Sequence, residues 1–351
     1  MRDTKAKLIM IVMVASLLCL DARAQTYTAT DLGAVRHGSA RIHGINAAGQ
    51  AVGGTGHPHG EDTHAFFWQK QGGMRDLGTL AGGDFSSAFA VNDFGLAVGT
   101  SNTATQMHAF SWTAAGGMKD LGTLAGTDAS QAYGVNNQGQ IAGSSGTHAV
   151  IFSGGSIQDL GTLGGPASEA RSINNLGQVA GMADTADGHT HAFLWTSGTM
   201  QDLGTLPGDS DSRAGHVNDS GMVVGASQGS GGTRAFFWSK AGGMEAIPTL
   251  NGGAYSEAFG VNNQGQVVGE SDSSLGARAF VWTHNAGVID LNSVVTGLPS
   301  NVVLSGAFSI NDKGEIVAFG LRSPDVTRHQ EARMDSHVHS GPTRVFLLTP
   351  Q

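Results

Sequence analysis

The chain has 351 residues, of which 54 are glycine, 8 proline and 1 cysteine, with 13% charged residues and a formal net charge of −9. Glycine at twice its usual share of about 7% excludes a coiled coil or a large helical protein, since each glycine inside a helix costs about 1 kcal/mol relative to alanine. A hydrophobic fraction of 40% at low charge density excludes disorder, and the absence of a G-X-Y period excludes collagen.

The first predicted element, residues 1–24, reads as a secretory signal peptide. Lys5 and Lys7 form a basic start, Leu8 to Leu20 an apolar run, and Ala22-Arg23-Ala24 a small-x-small cleavage site. The run is shorter than the roughly 20 residues of a membrane span, and no second apolar stretch follows. Leu18 stands where a lipoprotein signal needs a small residue, so Cys19 leaves with the leader, and the mature chain is expected to have neither disulfides nor cysteine metal sites. Without Arg2, Lys5, Lys7, Arg23, Asp3 and Asp21, 15 basic and 26 acidic residues remain, a net charge of −11 that disfavours nucleic acid as a partner.

Residues 25–351 are expected to form a single domain built on one recurring phrase. In its fourth copy the phrase reads His191-Ala-Phe-Leu-Trp195, Met200-Gln-Asp-Leu-Gly-Thr-Leu206, a Ser-x-Ala-x-x-Val-Asn segment ending at Asn218, and Gly221-Met-Val-Val-Gly225. The asparagine recurs as Asn46, Asn92, Asn136, Asn174, Asn218, Asn262 and Asn311, which defines seven units. Turn sequences such as Asn136-Asn137-Gln138-Gly139 and Ser153-Gly154-Gly155-Ser156 favour positive φ and mark tight hairpins. Each unit therefore supplies two hairpins, four antiparallel strands, and seven such units predict an all-β fold, a seven-bladed β-propeller.

Taken in order, strand a is the Ser-x-Ala segment, b the Val-Val-Gly segment, c His-Ala-Phe-x-Trp and d Asp-Leu-Gly-Thr-Leu. The chain starts with a d-type strand, Thr28-Ala-Thr-Asp-Leu-Gly33, and its last unit has a at Ala307 to Asn311, b at Gly314 to Phe319 and c at Arg344 to Leu348 but no d. The N-terminal strand is expected to complete the seventh blade. Starting each blade at Asp-Leu-Gly instead gives seven complete blades without exchange.

The phrases HAFFW, HAFSW and HAFLW, followed by DLGTL and then VNNQGQ or INNLGQ, resemble the HAF-repeat family of extracellular bacterial proteins over nearly all of the mature chain. The resemblance implies a secreted repeat protein without an assigned activity. Departures occur at Val150 and Phe152, at Arg234 and Arg278 in the histidine position, and at Ala246 in the aspartate position.

Five positions at the end of strand c are tryptophan (Trp68, Trp112, Trp195, Trp238, Trp282), with Phe152 and Leu348 in the other two. Apolar replacement reads as blade-to-blade core, with a carbohydrate platform as the alternative. His64, His108, His148 and His191 open strand c, and Arg234, Arg278 and Arg344 share the slot. Because arginine cannot ligate a metal, the slot reads as a buried hydrogen-bond donor to the strand-d aspartates Asp31, Asp76, Asp120, Asp159, Asp202 and Asp290. Asp184, Asp187, Asp209 and Asp211 sit in no recognisable calcium loop. The Gly225-Ala-Ser227-Gln-Gly229 match to G-x-S-x-G lacks the strand-turn-helix context of a nucleophile elbow.

One histidine cluster departs from the repeat. His57, His59 and His64 fall in or beside the b–c loop of blade one, and Asp335, His337 and His339 in that of blade seven, its neighbour in a closed ring. These residues are a candidate site for zinc, nickel or copper, against the plainer reading of solvated polar loops. No other cofactor is implied. The expected role is non-catalytic binding of an extracellular glycan, cell-envelope component or protein through the b–c loops at 54–63, 100–107, 182–190, 226–233, 270–277 and 321–343, since loops on a rigid scaffold carry binding. The alternative is an extracellular polysaccharide hydrolase or lyase.

Overall fold

The computed structural model describes residues 25–32, 39–56, 63–322 and 344–351. The expected signal peptide lies outside them. Seven antiparallel sheets form a closed β-propeller. In blade four, strand a is Gly164–Ile173, b Val179–Thr185, c Thr190–Thr196 and d Thr199–Asp202, hydrogen-bonded in that order. Each strand a packs against strand a of the next blade, blade seven against blade one included, so these strands surround the axis.

Blade seven is closed from both chain ends. Its strands a to c are Val302–Ile310, Ile316–Arg322 and Arg344–Pro350, and its fourth strand is Tyr27–Asp31. Tyr27 pairs with Pro350 and Asp31 with Phe346 in an antiparallel ladder, as the sequence predicts. An unexpected addition is Val295–Thr296, which pairs in parallel with Tyr27 and Thr28. It covers the outer edge of the closing strand, where Tyr27 is 1% exposed.

The repeated residues have distinct structural jobs. Strand a of every blade carries a β-bulge, between Ala170 and Ser172 in blade four. A Cβ at Gly181 would stand 1.9 Å from the Glu169 carbonyl oxygen, so only glycine lets strand b pass the bulge. Its cross-strand partner is Phe193, fully buried, so the glycine of Val-Val-Gly and the phenylalanine of His-Ala-Phe form one contact. The tryptophans are the core residues expected: Trp238 is buried with Leu194, Leu203 and Leu206 of the preceding blade. Burial of side chains this size contributes roughly 1.5–3 kcal/mol each.

Buried serines tie the blades together. Ser212 Oγ accepts the Ala192 N–H (2.8 Å) and donates to the Gly204 carbonyl (2.6 Å), joining strand a of blade five (Asp209–Val217) to strand c of blade four and to the turn after its strand d. Ser86, Ser130 and Ser168 repeat both bonds. Late in strand b, Ser101, Ser145, Ser227 and Ser271 accept the N–H of Leu80, Leu124, Leu206 and Leu250, the leucine that closes the strand-d motif. Ser227 is therefore a buried structural acceptor, which removes the nucleophile-elbow reading.

The asparagine that marks each unit closes the ring at one mouth of the channel. Its Nδ2 donates to the backbone carbonyl of the equivalent asparagine in the next blade, from Asn46 to Asn92 and on through Asn311 back to Asn46, at 2.8–3.2 Å. Its Oδ1 accepts two N–H groups of its own turn, Ser220 and Met222 for Asn218. A second ring lies one residue on, where backbone N–H groups donate to Asp93, Asn137, Asn175, Asp219, Asn263 and Asp312. It breaks between Asp312 and Ala47, because alanine has no acceptor.

Candidate functional site

The histidine slot makes the bond expected of it. Nδ1 of His64, His108, His148 and His191 lies 2.7–2.9 Å from Asp76, Asp120, Asp159 and Asp202 of the same blade. Arg278 and Arg344 face Asp290 and Asp31 at 3.7 and 3.4 Å. The same carboxylates cap the turn that follows: Asp202 Oδ1 accepts the Gly204 N–H at 2.7 Å, with Gly204 at φ +69. Aspartate, leucine and glycine thus serve as cap, core anchor and left-handed turn. The expectation of burial holds for Arg278 and is corrected for the histidine pairs. The His191 and Asp202 side chains are 20% and 43% exposed, because the pair sits at the blade's outer edge rather than between sheets. Where Ala246 replaces the aspartate, Arg234 turns to Asp209, 2.9 Å away.

Of the candidate metal ligands, His57, His59, Asp335, His337 and His339 lie outside the described residues. His64 is described, and its Nδ1 is taken by Asp76. Among the described residues no group of three or more histidine, cysteine, aspartate or glutamate side chains is placed to hold a metal. The carboxylates of blades four and five are engaged locally: Asp184 accepts from Thr190, Asp187 from Thr185, and Asp211 from Ser210 and Thr190. The loop expected at 226–233 is mostly strand, since b continues to Gly229 and c starts at Gly232. Ladder hydrogen bonds there leave little free loop.

The channel carries a charged group on strand a, before the asparagine ring. Arg213 donates two hydrogen bonds to Glu257 of the next blade, Nε to Oε1 at 2.9 Å and Nη2 to Oε2 at 2.8 Å. Tyr255 donates to the same carboxylate at 2.8 Å. Glu169 pairs with Arg171, whose guanidinium lies 4.6 Å above the Tyr133 ring. Burial, and secondarily the Glu169 carboxylate, push the Tyr133 hydroxyl up to about 12. The bulge residues form an aromatic girdle: His43 and Phe89 are 5.1 Å apart, Phe89 and Tyr133 5.4 Å, and Phe259 and Phe308 4.9 Å. It is interrupted at Arg171 and at Gly215, where the neighbouring His216 lines a cavity of about 170 Å³ beside the asparagine ring. Burial pushes His216 down to about 4, and burial with Arg41 does the same to His43. His216 Nδ1 is buried without a hydrogen-bond partner among the described residues.

A second concavity, of about 260 Å³, opens between blades one and two on the face of the a–b and c–d turns. Phe67 and Arg75 come from strands c (Ala65–Gln69) and d (Gly73–Asp76) of blade one, Trp112 from strand c (Met107–Thr113) of blade two, and Phe94 from that blade's a–b turn. Phe94 is 80% exposed, while Trp112 is 4% exposed and forms the floor. Arg75 lies 4.9 Å above the Trp112 ring. Gln50 and Gln69 supply amides at the rim, 3.4 Å apart. The sequence reading missed this cleft. Its available signal was Phe94, an aromatic residue in a turn position filled elsewhere by Ala48, Gln138, Leu176, Ser220, Gln264 and Lys313.

The architecture is that of a seven-bladed β-propeller. No family model and no curated protein matches the chain. Solved structures do match. The chain is similar to a catalytically inactive variant of virginiamycin B lyase from Staphylococcus aureus, solved with quinupristin, at 11% identity, with 92% of this chain and 99% of that one covered and a TM-score of 0.58. It is also similar to a puromycin-hydrolyzing peptidase from Mycobacterium tuberculosis, at 12% identity, 83% and 51% coverage and a TM-score of 0.54. A third match is the β-propeller domain of the Trilobed protease from Pyrococcus furiosus, at 9% identity, 74% and 84% coverage and a TM-score of 0.50. Identities this low carry the fold alone.

Proposed function

We propose that this chain is an exported, non-catalytic binding propeller of the HAF-repeat type, whose ligand is a polysaccharide or another component of the cell envelope. One observation carries the reading. The polar residues that the repeat supplies are bound to one another as scaffold, His191 to Asp202, Ser212 to Ala192 and Gly204, Asn218 to Asn262, whereas Phe94 and Arg75, which differ from the residues at the equivalent positions of the other blades, line an open cleft. Export rests on the leader-like residues 1–24.

The test is a panel of envelope glycans presented to the purified protein, with and without divalent metals. Saturable retention without release of shorter products is the expected result. Product release would overturn it in favour of a hydrolase or lyase, a second reading supported by the Tyr133, Glu169 and Arg171 group in the channel. In that case Glu169→Gln should abolish release. Neither retention nor release would overturn both in favour of a purely structural role.

A further inference from the structure

The seven inter-blade clefts are built from equivalent positions, so each is a control for the others. In the cleft between blades five and six, Phe237 and Trp282 stand 5.4 Å apart, as Phe67 and Trp112 do at 5.5 Å. There His284 enters the space, 5.0 Å from Phe237 and 4.7 Å from Trp282, and its Nε2 meets Glu245 at 2.7 Å. Between blades one and two the histidine position is Ala114, the glutamate position is Arg75, and the turn position is Phe94 in place of Gln264. Where His284 stands in one cleft, Ala114 lines a concavity in the other, with Arg75 over Trp112.

From this difference we infer that the cleft of blades one and two binds an acidic sugar, a uronic-acid unit within a longer glycan. This rests on the binding reading above and names its ligand class. Phe94 offers an exposed ring face suited to the C–H face of a pyranose. Gln69 at the rim offers an amide for hydroxyls, while Gln50 beside it is held by Asn46 as part of the scaffold. Arg75 has no carboxylate within ion-pair distance among the described residues; it stacks on Trp112 with its guanidinium at the cleft. An unpaired arginine beside an aromatic wall is the partner a sugar carboxylate requires. The volume of about 260 Å³ falls just below the roughly 300–1,000 Å³ of enclosed ligand pockets, which suits a surface-laid chain segment.

The full protein is titrated with oligogalacturonate and with its neutral methyl ester. Binding of the acid form is expected, at least about tenfold weaker for the ester. Phe94→Ala and Arg75→Gln, both at exposed positions, should each weaken the acid form about tenfold at unchanged melting temperature, while Leu176→Ala in the equivalent turn of blade four should change nothing. Equal affinity for acid and ester, or wild-type affinity in both cleft variants, overturns the assignment. If the protein retains other glycans but not this one, the cleft assignment fails and the binding reading stands. If it retains no glycan, both fail.

Discussion

The clefts between blades one and two and between blades five and six share a backbone, a phenylalanine and a tryptophan, and differ in what closes them. In one, His284 packs on both rings and pairs with Glu245; in the other, the histidine position is Ala114, Arg75 lies over Trp112, and Arg75 and Phe94 line the opening. The difference separates two kinds of position. Positions whose side chains bond across a blade boundary, such as the asparagine and serine of strand a, recur because the ring requires them. Positions at the outer ends of the blades are free to differ, and there individual chemistry accumulates.

Four measurements test this division. The largest effect should come from deleting residues 25–31. The deletion leaves strand Arg344–Pro350 as an unpaired edge and removes the buried Tyr27 from its cluster, and loss of the single cooperative melting transition is expected, measured by calorimetry.

The second prediction is acid sensitivity. His43 and His216 are held neutral, down to about 4, whereas an unfolded histidine titrates near 6.5. As pH falls from 6.5 toward 4, the unfolded chain takes up protons that the folded chain refuses. Stability is therefore complete above pH 6.5 and declines by up to about 1.4 kcal/mol per pH unit for each histidine. Denaturant titrations of wild type and His216→Ala should show a shallower decline in the variant.

The third is Asn218→Ala, which removes the donor to Asn262 and the acceptor for two turn N–H groups. A loss of about 2–4 kcal/mol is expected from several buried groups left unpaired, read from the urea midpoint. The smallest is Asp202→Ala at the half-exposed outer edge, where about 1 kcal/mol is expected from the lost turn cap and histidine pair. A cost there as large as that of Asn218→Ala would contradict the division between inner bonded positions and outer tolerant ones.

Much of this molecule is legible in its sequence. Seven units, four strands each, the closing strand at Thr28 to Asp31, the buried tryptophans and the histidine–aspartate pairs all follow from periodicity and residue type. Two things are not. Asn218 reads as a turn residue, and that its amide reaches Asn262 in the next blade depends on a curvature that brings the turns together around an axis. The cleft is hidden for a related reason: Arg75, Phe94 and Trp112 belong to different strands of different units, and only the packing of blade two on blade one makes them neighbours. Ala114 gives no sign of an opening until His284 shows what the same position can hold.

The most direct test of the central claim, that repeated residues build the ring and irregular ones bind, is oligogalacturonate affinity measured on Phe94→Ala and Asp202→Ala. A loss of about tenfold is expected for Phe94→Ala, with wild-type affinity for Asp202→Ala. Affinity lost in Asp202→Ala and kept in Phe94→Ala would contradict the claim.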